Sequence, residues 1–258
     1  LNEPLIDRLH ALRLTGIAQA LSEQRANPSI TGLSFEERLS LLVDRQYQFA
    51  QDRALTNRLR YAGLSDSGPA IEGIDYRYER ALSASQLDPL IAPEWIRHGK
   101  SAVITGSTGL GKTYIGEALA RQACRNGFRT LATYSPKLFR SLSASELDGS
   151  LVTTLKKLAR CELLLIDDFG MEKAEPATYR LFLEVLHDRI GKTATLITSQ
   201  YAPGSWHAII RDETVADAIT DRLAHAAYRL DLEGETIRRT RLQRQCRTKS
   251  EGHLRLQA

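Results

Sequence analysis

Cysteine, methionine, tryptophan and long apolar runs are all scarce in this chain. Its 258 residues include only three cysteines, Cys124, Cys161 and Cys246. They are odd in number and widely spaced, with no CxxC pair, so neither a disulfide framework nor a zinc site is expected; a reducing cytoplasm suits that pattern. No window approaches the run of ~18 apolar residues that a membrane-spanning helix requires. The opening stretch LNEPLIDRLHALRLTG mixes acids, bases and leucines without an apolar core, so no secretory signal is expected there. G-x-S-x-G, H-E-x-x-H and Ser/His/Asp patterns are missing as well, which removes the common hydrolase signatures. His187, His207 and His225 are isolated and read as core or surface residues, while Trp95 and Trp206 read as packing residues.

What remains is an ordinary globular composition, 42% hydrophobic and 26% charged, which excludes collagen-like, mucin-like and fully disordered chains. The net charge is +4, unevenly spread. Residues 236–258 carry Arg238, Arg239, Arg241, Arg244, Arg247, Lys249 and Arg255 against one acid, Glu251. Arginine also outnumbers lysine, and arginine is the better bidentate partner for phosphate. Nucleic acid is one partner this implies; a solvated basic tail is the plainer reading.

Two regimes divide the chain. Residues 1–65 carry helical periodicity, with Leu5, Leu9 and Leu12 followed by Ile17, Ala20 and Leu21. A second helix is expected after Ser34, which forms a capping box with Glu37, and Leu39, Leu42, Val43 and Tyr47 give it an apolar stripe. This is expected to be a small all-α module that binds DNA or a partner protein. Residues 66–98 read as a connector, punctuated by Gly68-Pro69, Gly73, Pro89 and Pro93. From residue 99 to 245 short apolar runs alternate with helical stretches: Ser101–Thr105, Arg129–Tyr134, Glu162–Asp167, Thr193–Ser199 and Ala227–Leu232. That alternation predicts an α/β domain with a five-stranded parallel sheet covered on both faces. Residues 246–258 form the basic tail.

The chemistry concentrates in three strand ends. Gly106-Ser107-Thr108-Gly109-Leu110-Gly111-Lys112-Thr113 matches G-x-x-x-x-G-K-[ST] between a strand and a helix. Its glycines let the backbone wrap phosphate, with N–H groups turned to the anion at a helix N-terminus. Lys112 is expected to reach the β- and γ-phosphates of ATP, and the Thr113 hydroxyl to ligate Mg²⁺. The run Leu163–Ile166 ends in Asp167 and Asp168; Asp167 is expected in the magnesium shell and Asp168 beside the attacking water. Thr195–Gln200 is another apolar run with a polar end, from which Ser199 or Gln200 can meet the γ-phosphate or the water. Arg222 and Arg238 are the arginine candidates for transition-state charge, with Arg211 in reserve for the role of a finger from a neighbouring subunit.

Taken in order, these motifs resemble the IstB-like ATPases, relatives of the DnaC helicase loader within the AAA+ class. Ala216–Leu223, Leu232–Arg238 and the N-terminal Leu12–Leu21 and Leu33–Glu37 stretches carry the resemblance beyond the phosphate loop. It implies a sheet of order 5-1-4-3-2 and an ATPase acting beside a separate transposase in insertion-sequence transposition. It further implies binding to duplex DNA with little sequence preference, and ATP-dependent assembly of copies into a ring or spiral. By the same resemblance Lys112 and Thr113 match Walker A, Asp167 and Asp168 Walker B, and Ser199-Gln200 sensor 1. Arg222 matches the inter-subunit finger and Arg238 the sensor-2 arginine. Two departures stand out: Asp168 where the class usually has Glu, and Gln200 where it usually has Asn. Both imply slow hydrolysis, with ATP acting more as an assembly switch than as fuel. The rivals are a helicase loader, a small-molecule kinase, and a nucleotide-gated scaffold without turnover.

Overall fold

The computed structural model describes residues 3–78, 80–225, 228–234 and 236. The chain divides into two compact units, Leu1–Asn57 and Arg58–Ala258.

The first unit is helical: α1 (Glu3–Ala11), α2 (Thr15–Ala26) and the greater part of α3 (Phe35–Ala62). The Ser34–Glu37 capping box forms, with the Ser34 N–H donating to Glu37 Oε2 at 2.7 Å and the Glu37 N–H to Ser34 Oγ at 3.3 Å. Leu14 gives α2 no side-chain cap. The amides of Gly16 and Ile17 donate instead to Gln46 Oε1 of α3, at 2.9 and 3.3 Å. Glycine is required at position 16 because a Cβ there would sit 2.7 Å from the Gln46 Cα. Since α2 packs on the face of α3 that carries Arg38 and Gln46, the Leu39, Val43 and Tyr47 side chains are left exposed.

In the second unit all five strands are parallel: β1 (Ser101–Gly106), β2 (Thr130–Tyr134), β3 (Leu163–Phe169), β4 (Ala194–Ser199) and β5 (Tyr228–Leu232). Their order across the sheet is β2-β3-β4-β1-β5, which is the expected 5-1-4-3-2 read from the other edge. The apolar runs of the three central strands β1, β3 and β4 are continuous because both their faces are buried, whereas the edge strands β2 and β5 are partly exposed. Leu163 and Leu165 of β3 join Ala102, Ile104 and Leu196 on one face, while Leu164 and Ile166 join Val103 and Ile197 on the other. The first face is covered by α4 (Ala84–Ile91), α5 (Glu94–Arg97) and α6 (Lys112–Arg125). Against the other lie α7 (Ser135–Leu147), α8 (Leu151–Arg160), α9 (Pro176–Arg189) and α10 (Glu213–Thr220). Residues 66–98, expected as a connector, contribute Ile74, Leu82, Leu87, Leu90 and Trp95 to the core.

Two buried groups set the ends of β3. At its C-terminal end Phe169 packs edge-on against Trp206, with ring centroids 4.7 Å apart, and this holds the strand where it enters the site. At its N-terminal end Arg189, 1% exposed, is a clamp. Its guanidinium donates to the carbonyl oxygens of Leu158 (2.5 Å), Cys161 (2.9 Å) and Ala194, and to Thr195 Oγ1 (3.1 Å). Burial pulls its pKa below the ordinary arginine value. Arg189→Met is expected to lower stability by about 2–4 kcal/mol, read from the urea unfolding midpoint, because the carbonyls of three buried residues lose their donors.

Cys124 and Cys161 are free, buried thiols whose pKa burial pushes up. Among the described residues no His/Cys/Asp/Glu group is arranged to hold a metal ion by itself. Nor is any described helix long and apolar enough to cross a membrane.

Candidate functional site

β1 leads into the site and α6 leads out of it, joined by the loop Gly106–Thr113. Gly106, Gly109 and Gly111 have φ of +143°, +89° and +87°, values that side chains rarely tolerate. A Cβ at Gly106 would meet the Leu232 carbonyl oxygen, and one at Gly109 would meet Thr236. The loop therefore wraps tightly, the backbone shape that lets successive amides face an anion at a helix N-terminus. Lys112 opens α6 and is 4% exposed; its ammonium donates to the Ser107 carbonyl oxygen at 3.0 Å. Burial pulls its pKa down, while Asp168 and Asp167 act to keep it charged.

The two carboxylates owe their placement to an irregularity in the sheet. β3 pairs Ile166 with Ile197 and Phe169 with Ser199, so Asp167 and Asp168 together lie opposite Thr198. This is a β-bulge, which bends a strand and re-aims its side chains. Asp168 adopts φ of +54°. Thr198, fully buried on β4, holds both residues: its Oγ1 donates to Asp167 Oδ1 at 2.5 Å and accepts the Asp168 N–H at 2.9 Å. Burial pushes the Asp167 carboxyl above the usual carboxylate range and Asp168 adds to the shift, against hydrogen bonds from Thr198 and Thr113. A third acid, Glu117, lies one turn beyond Thr113 on α6, and burial followed by the charge of Asp167 pushes it up too.

A cavity of about 1030 Å³ opens above this floor. Thr108, Gly109, Gly111, Lys112, Thr113, Asp168 and Gln200 line it, so the structure brings these expected residues together. Gly106, Ser107 and Leu110 belong to the same loop without lining the cavity, and Asp167 takes a hydrogen bond from the Thr113 side chain. Ser199 is placed elsewhere. Its hydroxyl donates to the Phe169 carbonyl oxygen at 2.8 Å and accepts the Tyr201 N–H at 3.1 Å, and it does not line the cavity. Successive side chains on a strand point to opposite faces, so of Thr198 and Ser199 only the former reaches the bulge.

The opposite wall is made by Pro69, residues 72–78 and Arg80, within the stretch expected as a connector. Ile74, Tyr76 and Tyr78 line the cavity from that side, and Met171 closes its edge. Arg121 of α6 anchors the start of the wall by donating to the Asp66 carbonyl oxygen at 2.9 Å, and Arg125 pairs with Glu72 at 2.6 Å. Thr198, Glu117 and this wall are the site residues the sequence reading missed. Only the strand register, which is not written in the local sequence, distinguishes Thr198 from its neighbours.

The arginine candidates separate. Arg222 lies in a turn of π-helix after α10, with Nη1 donating to the Ala218 carbonyl oxygen at 2.9 Å. It lines a second, smaller groove of about 510 Å³ with Arg180, Glu184, His187 and Asp188, not the phosphate-loop cavity. Arg211 is exposed just before α10. Neither lines the cavity of its own chain, the arrangement a residue serving a neighbouring subunit would have. Arg238 and the basic tail lie outside the described residues.

Thr198→Val keeps shape and removes the hydroxyl. It is expected to cut ATP turnover by roughly tenfold or more while KM moves by less than about threefold, because the lost bonds orient carboxylates and do not touch the phosphate loop. Steady-state kinetics give both numbers.

Comparison with known proteins identifies the family and the fold. A family model described as IstB-like ATP binding protein matches residues 7–246. A protein of Sinorhizobium fredii described as insertion sequence ATP-binding protein y4pL is 39% identical over 239 residues, covering 93% of this chain and 97% of that one. Among solved structures, DnaI superposes with a TM-score of 0.54 at 22% identity, over 64% of this chain and 91% of that one. The DnaC helicase loader gives 0.50 at 20% identity, over 62% and 95%. At such identities the two structures speak for a shared fold alone.

Proposed function

Because the chain belongs to the family of IstB-like ATP-binding proteins, we propose that it is an ATP-hydrolysing factor that assembles on duplex target DNA and assists the transposase of its insertion sequence. The observation that carries this reading is the meeting of Lys112, Asp167, Asp168 and Thr198 under the phosphate loop, with Arg222 in a separate groove.

ATP would lie with its phosphates on the loop amides and its nucleoside against the 69–80 wall. Lys112 would then leave the Ser107 carbonyl for the β- and γ-phosphate oxygens. The Thr113 hydroxyl and Asp167 carboxylate are hard oxygen donors of the kind Mg²⁺ takes, and burial of Asp167 beside Asp168 gives the floor a need for a cation. Bound there, Mg²⁺ would neutralise charge on the phosphates. Asp168 would accept a proton from the attacking water, and Gln200 at the cavity edge would orient that water. Arg222 would complete the site of an adjacent copy, which makes assembly a condition for hydrolysis. With the short Asp168 side chain in the water-orienting position, turnover would be slow and ATP would act chiefly as an assembly switch.

Duplex DNA would be held through its phosphates by the basic residues between 238 and 255 and by the helical first unit, with affinity falling steeply as salt rises. The work would be cytoplasmic. The insertion-sequence description of the relatives favours a transposase over a helicase as the protein partner.

The test is the steady-state ATPase rate with and without non-specific duplex DNA, with Lys112→Ala as the blank. Stimulation by duplex that vanishes in the blank supports the reading. An ATPase indifferent to DNA, in a protein that does not bind DNA, overturns it.

A further inference from the structure

Arg80 is a buried charge that the reaction above does not use. It is 3% exposed yet borders the phosphate-loop cavity. Its Nη1 donates to the Leu110 carbonyl oxygen at 3.0 Å, and its Nη2 to the Asp75 carbonyl oxygen at 3.0 Å. Its own carbonyl accepts the Glu233 N–H at 3.3 Å, just past β5. One residue thus joins the cavity wall, the phosphate loop and the end of an edge strand. Its buried Nε meets no hydrogen-bond partner among the described residues. Burying a guanidinium with a donor unmet is costly. Stability alone would favour an apolar residue at this position, so its value lies in what it holds.

What it holds is a single peptide unit. No peptide bond among the described residues is cis, and in a planar trans peptide the C=O and the following N–H point in opposite directions. Drawing the Leu110 oxygen toward Arg80 therefore turns the Gly111 N–H the other way. The Leu110 side chain is 1% exposed in the core below, so the unit is fixed at both ends. Gly111 lines the cavity and Leu110 does not, as that orientation requires. The other arm of the fork pins Asp75, which lies between Ile74 and Tyr76 of the wall.

We infer that Arg80 is a positioning residue that couples occupancy of the Ile74–Tyr78 wall by the nucleoside of a nucleotide to phosphate binding on the Gly106–Thr113 loop. The inference rests on the nucleotide-binding reading of the site and adds a regulation within it: each half of the ligand prepares the binding of the other. Arginine suits this because its planar fork holds two carbonyls at once, whereas lysine offers a single ammonium.

Calorimetry on the full chain tests it with two separate probes, inorganic tripolyphosphate and adenosine. In the wild type, saturating adenosine is expected to tighten tripolyphosphate binding by about fivefold or more, the lower range of site-to-site coupling. Arg80→Met is expected to bind tripolyphosphate more weakly and to lose the adenosine effect. Arg80→Lys, which keeps the charge and one bond, is expected to recover part of the tripolyphosphate affinity but not the coupling; if Arg80→Met does not fold, this variant carries the test alone. A merely structural arginine would change melting temperature and leave the ratio of the two affinities intact. Coupling that persists in the folded variants, or is missing in a wild type that binds ATP, overturns the inference. A wild type that binds no ATP overturns the nucleotide reading itself.

Discussion

Lys112→Ala is expected to abolish the response of this protein to ATP while leaving its fold in place. Saturation at about 100 times Kd stabilises a folded protein by about 2.7 kcal/mol, which for a chain of this size is a rise in Tm of roughly 5–10 °C. The variant should show no such rise, and its turnover should fall by about 10²–10³-fold, the usual effect of removing one preorganised donor to developing charge. The fold should survive because Lys112 gains little from its surroundings without ligand. Burial works against its charge and outweighs the favourable charges of Asp168 and Asp167, and its hydrogen bond goes to a carbonyl of its own loop. A thermal melt with and without Mg-ATP reads both halves of the expectation. A wild-type shift retained in the variant would falsify the role assigned to this residue.

Arg222→Ala is expected to lower turnover by about 10³-fold or more, as loss of an arginine finger does, without weakening ATP binding to the same protomer. The separation of effects follows from position, since Arg222 faces the groove beside α9 and not the phosphate-loop cavity of its own chain. Mixing supplies the decisive comparison. Arg222→Ala keeps an intact phosphate loop, and Lys112→Ala keeps an intact Arg222. Combined in equal amounts the two inactive proteins should recover about a quarter of wild-type activity, because about one junction in four pairs a sound loop with a sound arginine. No recovery in a mixture that does co-assemble would place the arginine's action within one chain, and Arg211→Ala would be the next variant to mix.

Most of the sheet and the phosphate loop were legible in the sequence because their signals are local. A strand buried on both faces is apolar at nearly every position, and the runs of β1, β3 and β4 stand out for that reason, while the edge strands β2 and β5 are only partly buried. The loop is legible because its glycines are required by backbone angle and not by distant packing. What was illegible depends on residues brought from afar. Gly68-Pro69, Gly73, Pro89 and Pro93 read as breaks, yet Leu87, Leu90 and Trp95 have enough core to bury against that α4 and α5 form there. Pro89 even sits inside α4. The expectation that Ser199 or Gln200 meets the site, with Thr198 passed over, shows the same limit. Thr198 and Ser199 are both small hydroxyl residues at the end of one strand, and only the bulge in the neighbouring strand decides which of them meets a carboxylate.

That bulge bears on how readily the proposed ATP hydrolysis could be sped up. Replacing Asp168 with Glu, the usual residue of the AAA+ class, looks like a simple lengthening of the catalytic arm. The position, however, has left-handed backbone, where Asp and Asn are the side chains most at ease after glycine. Glutamate would bring reach and lose backbone comfort at the same torsion, straining the strand end that Thr198 and Phe169 hold. Side-chain length and backbone shape are thus coupled here, and a route to faster turnover at the proposed site has to reshape β3 before it changes residue 168.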